Sequence, residues 1–343
     1  MIRLRCLIPK IVGVIAIIFQ MILLTGCSLD DPRDACCNLS NGMRYVYRPH
    51  FIDEFSQHIS SMRHLLYDSE GNFIREMEPG SDIQYHTLAI PAGRYMMVNL
   101  GNQSDRSELI QSDDGHVSQL TLESTALHDG KWLPSSLSSL RIGSSDSGIA
   151  LSNTDELFWG VSEFEIDSQG YISDLGFRRR YDDYGWPVTE MNNIHCHLRV
   201  KVEWFNMPPG YGDYELELSG VPSRYSLDPT LSADADRYVV PVSNRTSTHR
   251  LTIPLLGFEL DADFVTLRYT DSDIPTLRIY YKGEQISPDI DLQRAFTAWG
   301  WWPSAVHVQE YAISVTLYSN GKADVTPLIE GIVNDWIDGG SFS

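Results

Sequence analysis

The side chain with the most specific chemistry written around it is Cys27, which closes the tetrapeptide Leu24-Thr25-Gly26-Cys27. Small residues ahead of a cysteine suit a thiol that takes a diacylglycerol and a peptide bond that is cut just before it. Upstream, Arg3, Arg5 and Lys10 lead into an apolar run from Ile11 to Leu24, interrupted by Gly13 and Gln20. That layout is a secretion signal, and the run falls short of the ~20 residues a spanning helix needs. The tetrapeptide fits a lipobox, so the mature chain is expected to begin at Cys27 with acyl chains on its sulfur and on its new amine. At ~0.8 kcal/mol per buried CH₂, two or more such chains hold a protein to a bilayer lastingly. The plainer alternative is an ordinary signal peptide with an accidental cysteine. Ser28 follows rather than Asp, and Asp30, Asp31 and Asp34 make an acidic run like the surface-export signals of some Gram-negative lipoproteins.

Elsewhere the search for chemistry is mostly negative. No Gly-x-Ser-x-Gly elbow, His-Glu-x-x-His, phosphate-cradling glycine loop or Gly-x-Gly-x-x-Gly occurs. His195-Cys196-His197 has metal-ligand types, but on a strand the two histidines share one face while Cys196 points to the other. The three therefore do not converge on one ion. The histidines read as a solvated face, and no metal ligand or cofactor is assigned. Ser144-Ser145-Asp146-Ser147-Gly148 and Asp271-Ser272-Asp273 lack full calcium-loop spacing and read as turns. Trp299, Trp301 and Trp302 could stack on sugar rings, although Trp299 already falls on the apolar face of a helix and packing is the plainer reading.

The chain carries 26 basic and 46 acidic residues. Losing residues 1–26 removes three bases and no acids, which leaves 23 against 46, a formal charge of −23. Nucleic acid is excluded as a partner for such a surface. The 343 residues less 26 leave 317, enough for two domains with a core each. Without Cys6 in the signal and the acylated Cys27, the remaining cysteines are Cys36, Cys37 and Cys196. An odd count in an oxidising compartment allows one bridge and one free thiol. A vicinal Cys36–Cys37 bond is strained, and a bridge from either to Cys196 stays open.

The elements that would position these residues are mostly strands. Residues 30–41 read as a tether, and residues 43–47 as the first strand. Residues 63–67 should turn through Asp68-Ser69-Glu70-Gly71-Asn72 into Phe73-Ile74-Arg75, because Gly and Asn take positive φ cheaply. Residues 83–90 and 94–100 read as a pair around Pro91-Ala92-Gly93. Further extended runs fall at 117–122, 157–166 and 171–178, with a long polar loop at 135–153. Arg178-Arg179-Arg180 reads as a solvated strand end or a protease site. A domain boundary is expected within residues 181–187. Beyond it Ile194, Cys196, Leu198, Val200, Val202 and Trp204 alternate with polar residues, so one face of that strand is dry. Its expected partner carries Tyr214, Leu216 and Leu218. More strands are expected at 250–256, 264–269, 277–281 and 311–318, with one helix capped by Ser287, opened by Pro288 and facing inward through Leu292, Phe296 and Trp299. The tail from Val325 through Ile329 to Trp336 is a last β-like stretch. Strand runs spaced in this way on both sides of one boundary argue for two antiparallel β-sandwiches in series.

The order and spacing of several motifs resemble the FimB/Mfa-type fimbrial anchor subunits, lipoproteins of the type V pili of Gram-negative anaerobes. They are the lipobox at Cys27, the tether with Cys36, Met43-Arg44-Tyr45-Val46-Tyr47, Leu66-Tyr67-Asp68-Ser69-Glu70-Gly71-Asn72-Phe73, Ile90-Pro91-Ala92-Gly93-Arg94-Tyr95 with Gly101, and Glu156-Leu157-Phe158-Trp159-Gly160. Where that family usually shows one cysteine and then Pro-x-Gly, this chain has Cys36-Cys37 and no proline.

The resemblance implies an all-β chain of two transthyretin-like sandwiches without enzymatic activity. The expected division is a signal over residues 1–26, a tether over 27–42, an N-terminal sandwich over 43–185 and a C-terminal sandwich over 186–343. It also implies an outer-membrane, surface-exposed lipoprotein that ends a fimbrium grown by strand exchange. Its partners would be a fimbrial shaft subunit and the membrane, through lipid on Cys27. The stretch offered to the neighbour would carry Val325, Leu328, Ile329, Ile332 and Trp336. A surface glycan-binding lipoprotein and an accessory or tip pilin are the alternative roles.

Overall fold

The structure is a computed structural model that describes residues 42–112, 114–128, 131–134, 151–175, 186–228 and 242–328. Cys27, Cys36, Cys37, the Ser144–Gly148 turn, Arg178-Arg179-Arg180, most of the expected boundary segment, and Ile329, Ile332 and Trp336 lie outside the described residues.

The first half forms β1 (Gly42–Val46), β2 (Met62–Asp68), β3 (Phe73–Met77), β4 (Tyr85–Thr87), β5 (Gly93–Gly101), β6 (Ser107–Ile110), β7 (Thr121–His128) and β8 (Lys131–Pro134). After these come β9 (Phe158–Ile166), β10 (Ile172–Asp174), β11 (Val188–Glu190), β12 (Asn192–Asn193), β13 (His195–Trp204) and β14 (Asp213–Ser226). The remainder is β15 (Val242–Pro254), β16 (Glu259–Leu267), β17 (Thr276–Tyr281), β18 (Glu284–Gln285), β19 (Ile290–Asp291), the helix Leu292–Trp299, β20 (Gln309–Leu317) and β21 (Ala323–Pro327).

Two sandwiches result, as the alternating patterns require. In the first, the sheet β11-β1-β4 belongs with a six-stranded sheet ordered β10-β9-β5-β2-β3, to which β12 adds beside β9. Tyr45, Phe55, Leu66, Met97, Phe164 and Met191 fill the core between them. In the second, the sheet β16-β13-β20-β21 belongs with a larger one ordered β18-β17-β14-β7-β6. Leu198, Val200, Leu216, Leu218, Phe264 and Val315 are completely buried between these. Pairing is antiparallel except for β1 with β11 and β13 with β20.

A third apolar cluster joins the two bodies. Strands β2 and β5 are buried on both faces, which is why their sequences run apolar with little alternation. Leu66 and Met97 enter the first core, whereas Leu65, Tyr67, Val98 and Leu100 meet Leu122, Tyr225 and Leu267 on the other side. The backbone is shared as well. Gly220 has φ +84° at a register shift in β14, beyond which Arg224–Ser226 leaves the range paired with β17 and pairs with β7. Conversely, β11 and β12 lie beyond residue 185 yet pair with β1 and β9.

Several expectations change in the structure. Residues 83–90 and 94–100 are not a hairpin, because β4 pairs with β1 while β5 pairs with β2 and β9. The strand expected from residue 117 begins as a 3₁₀ turn at Val117–Gln119. β14 is not the sheet partner of β13, which lies between β16 and β20. Tyr214, Leu216 and Leu218 share a core with the dry face of β13 from the opposite sheet, a relation that alternation alone does not distinguish from pairing. The helix is capped by Asp291, whose carboxylate accepts from the Arg294 N–H at 3.0 Å, and it ends at Gly300 with φ +72°. Ser287 instead accepts from the Ile279 N–H at 2.9 Å. The inward face is as expected, since Leu292 and Phe296 are buried and Trp299 packs beside them.

Candidate functional site

The edges of the four-stranded sheet in the second sandwich differ. At the β16 edge, residues 153 and 154 lie alongside: the Thr154 N–H donates to the Val265 carbonyl at 2.9 Å, and Asn153 Oδ1 accepts from the Val265 N–H at 3.0 Å. This covers the hydrogen-bonding groups that an edge strand would otherwise present. At the opposite edge stands β21, which has no strand on its outer side among the described residues.

β21 arises from a tight turn at Tyr318–Lys322, where Gly321 takes φ +77°, and it runs back along β20 with Val325 opposite Val315. The Leu328 N–H donates to the Ala312 carbonyl at 2.9 Å. By the alternation of an antiparallel ladder, residues 324, 326 and 328 therefore turn their backbone groups toward β20, and residues 323, 325 and 327 turn theirs outward. The outward row ends at Pro327, which has no N–H to give. Ala323 and Val325 pack their side chains on the core, while Asp324 and Thr326 are exposed. Of the residues assigned to a neighbouring subunit, Val325 thus already belongs to this sheet and Leu328, just after β21, is half-buried.

The other sequence candidates are absorbed into packing. Trp301 is buried, stacked on Tyr311 at 5.3 Å and edge-on to Trp299 at 4.9 Å, so of the three indoles only Trp302 is substantially exposed. Asp271 Oδ1 accepts from the Ser304 N–H at 3.0 Å, and Asp273 accepts from the Thr270 hydroxyl at 2.6 Å, which ties both carboxylates into a turn. Cys196 is a free thiol, completely buried on the dry face of β13, and burial pushes its pKa well up.

The histidines of β13 depart from the solvated face expected of them. His195 is only 4 % exposed, because Leu157 and Phe158 of the first half cover it. Burial pushes its pKa down to about 3. His197 is half-buried, and the neighbouring Asp263 carboxylate raises its pKa. Both line a cavity of about 140 Å³ between the halves, together with Glu156. The sequence singled out the two histidines as ligand types and Glu156 only as part of a motif, and it did not show the cover, since that contact joins residues some 40 apart.

The fold defines a class: an all-β protein of two sandwiches. Among the described residues, no helix is long and apolar enough to cross a membrane. The family model of the fimbrillin-A associated anchor proteins Mfa1 and Mfa2 matches residues 30–337, and the chain belongs to that family. Among solved structures, a candidate polysaccharide-binding protein of Bacteroides thetaiotaomicron is similar at TM-score 0.57 and 14 % identity, over 84 % of this chain and 98 % of that one. A candidate adhesin of the same organism gives 0.55 and 16 %, over 84 % and 95 %. The fimbrial anchor protein Mfa2 of Porphyromonas gingivalis gives 0.47 and 15 %, over 80 % and 89 %. No curated protein matches by sequence.

Proposed function

We infer that this chain anchors a fimbrium at the outer membrane, held by lipid on Cys27, and that it ends the filament by strand exchange with a shaft subunit. The role is mechanical and no substrate is turned over. The observation that carries this reading is the β21 edge: β21 is the last described strand of the chain, at the one edge of its sheet that residues 153 and 154 do not cover. A strand that is added at such an edge gains main-chain hydrogen bonds, and alternate side chains set its register.

Because Val325 is rooted in the core and Pro327 interrupts the outward donors, the segment to be offered starts after Leu328 and carries Ile329, Ile332 and Trp336. Deleting residues 329–343 while keeping β21 is expected to leave a folded protein that no longer copurifies with fimbriae. Continued copurification would remove the strand-exchange part of the reading. Replacing Cys27 with Ser tests the anchor: the protein and its filaments should leave the membrane fraction. Immunogold labelling separates an anchor from a tip subunit, since label should gather at filament bases. A glycan-binding role has less support, with two of the three indoles packed inward.

A further inference from the structure

The cavity between the halves gathers more ligand chemistry than packing requires. His195 and His197 lie two residues apart on β13, so strand periodicity puts them on one face. Glu156 enters from the segment just before β9. One ring nitrogen of each histidine and one Glu156 oxygen all lie within 4.8 Å of one another. The His197 Nε2 to Glu156 Oε1 distance is 3.4 Å. That matches the separation of roughly 3.4 Å between ligands about 2.1 Å from a tetrahedral ion. One side of the polyhedron is already at its liganded length, and the third ligand atom lies within 4.8 Å of both others.

The buried histidine is set up in the way metal-bound imidazoles are. A carbonyl can only accept, so the 3.0 Å contact between His195 Nδ1 and the Leu157 oxygen puts the proton on Nδ1. The lone pair is then on Nε2, where it accepts from the Asn193 amide at 3.2 Å, so an ion bound there would displace that amide. A backbone carbonyl that accepts from the far ring nitrogen and so fixes the tautomer of a ligating histidine is the usual arrangement. Glu54 and Glu310 line the same cavity, and Glu310 sits opposite His197 in the parallel ladder. The surroundings are therefore anionic. A volume of about 140 Å³ suits an ion and a few waters rather than a sugar ring.

We propose that Glu156, His195 and His197 form a site for a divalent transition metal, bound by two imidazoles and one carboxylate with a water completing the set. Imidazole ligation selects zinc or its neighbours over calcium and magnesium. The ion would tie the segment leading into β9 of the first sandwich to β13 of the second, as a staple across the cavity. This inference stands independently of the fimbrial role.

The test uses the chain from residue 27 onward with Cys27→Ser, stripped with a chelator and titrated calorimetrically with zinc chloride. One equivalent is expected to bind, with at least tenfold weaker binding in Glu156→Gln and in His197→Gln. Zinc should raise the thermal midpoint of the parent and leave those of the two variants nearly unmoved. Both positions are at least partly exposed, so both variants should fold, and far-UV circular dichroism checks this. Cobalt(II) should give tetrahedral d–d bands without thiolate charge transfer. The proposal is overturned if the parent binds no zinc, if both folded variants bind as the parent does, or if charge-transfer bands vanish in Cys36→Ser or Cys37→Ser, which would place the metal on the tether thiols.

Discussion

Arg268 shows how one side chain can hold the backbone of a whole loop. It is 2 % exposed, and its guanidinium donates to the carbonyls of His307 at 2.6 Å, Pro303 at 3.2 Å and Val306. The loop before β20 thus receives from Arg268 the donors that a regular ladder would have supplied, and desolvation lowers the pKa of the group that supplies them. Arg268→Met fills similar space but takes the guanidinium from the Val306 and His307 carbonyls, while the Pro303 carbonyl keeps the Gln309 amide at 2.9 Å. A loss of ~3 kcal/mol is expected, at ~1–3 kcal/mol for each buried group that finds no new partner. A urea melt checks it, and an unchanged midpoint would mean that water replaces the guanidinium.

His86 carries a different liability. It is 5 % exposed on β4, its ring centroid is 4.6 Å from that of His64, and burial pushes its pKa down to about 4. His249, buried beside Ser152, is likewise pushed down to about 4. In each case the folded value is below the ordinary 6.5, so the unfolded chain binds the proton more readily. Their contribution to stability is complete above pH 6.5 and is lost as pH falls from there toward about 4. His86→Leu should therefore reduce the drop in thermal midpoint between about pH 7 and about pH 4.5, whereas the parent shows the full drop.

Among the elements, β9 depends on a residue with no side chain. A Cβ on Gly160 would lie 2.7 Å from the Glu190 carbonyl oxygen and 2.9 Å from Met191 Sδ, because β11 and the start of β12 cross it closely. Gly160→Ala is expected to cost ~1–3 kcal/mol through overpacking, read as a lower urea midpoint. A neutral result would show that the crossing can slide. This glycine also explains what could be foreseen from the chain. Glu156-Leu157-Phe158-Trp159-Gly160 was legible as a motif, but the strand that demands its glycine is only three residues long and lies beyond residue 185. The dry face of β13 was legible because Cys196, Leu198, Val200 and Val202 alternate without a break, and all are fully buried. Its neighbours were not, since period two fixes a face and says nothing of who shares the sheet. For the same reason His195 read as wet: alternation puts it opposite the core of its own sandwich, where the first half then covers it. The helix shows the complementary case, in which Leu292 and Phe296 revealed the buried face while the cap read as Ser287 is Asp291, four residues further on.

At the scale of the whole molecule, the two sandwiches share too much to behave as beads on a string. β7 from the first half extends the sheet of β14, while β11 and β12 from the second half supply edges to β1 and β9. Between them Leu65, Tyr67, Val98, Trp159, Tyr225 and Leu267 are almost wholly removed from water. Fully burying such side chains is worth ~1.5–3 kcal/mol each relative to exposure, so the six together contribute up to ~9–18 kcal/mol, comparable to a typical domain's entire stability of ~5–15 kcal/mol. On the proposed anchoring role such a junction suits a subunit that carries load, because among the described residues the halves are joined by shared strands and a common apolar cluster. Calorimetric unfolding is accordingly expected to give one transition, with calorimetric and van't Hoff enthalpies that agree. A fragment cut at residue 185 loses β11, β12 and Met191 from the first core, and its β7 loses β14. It should show no cooperative melt when expressed alone. Two separated transitions in the intact chain, or a fragment over 43–185 that melts cooperatively, would mean that the shared strands ornament two self-sufficient sandwiches rather than complete them.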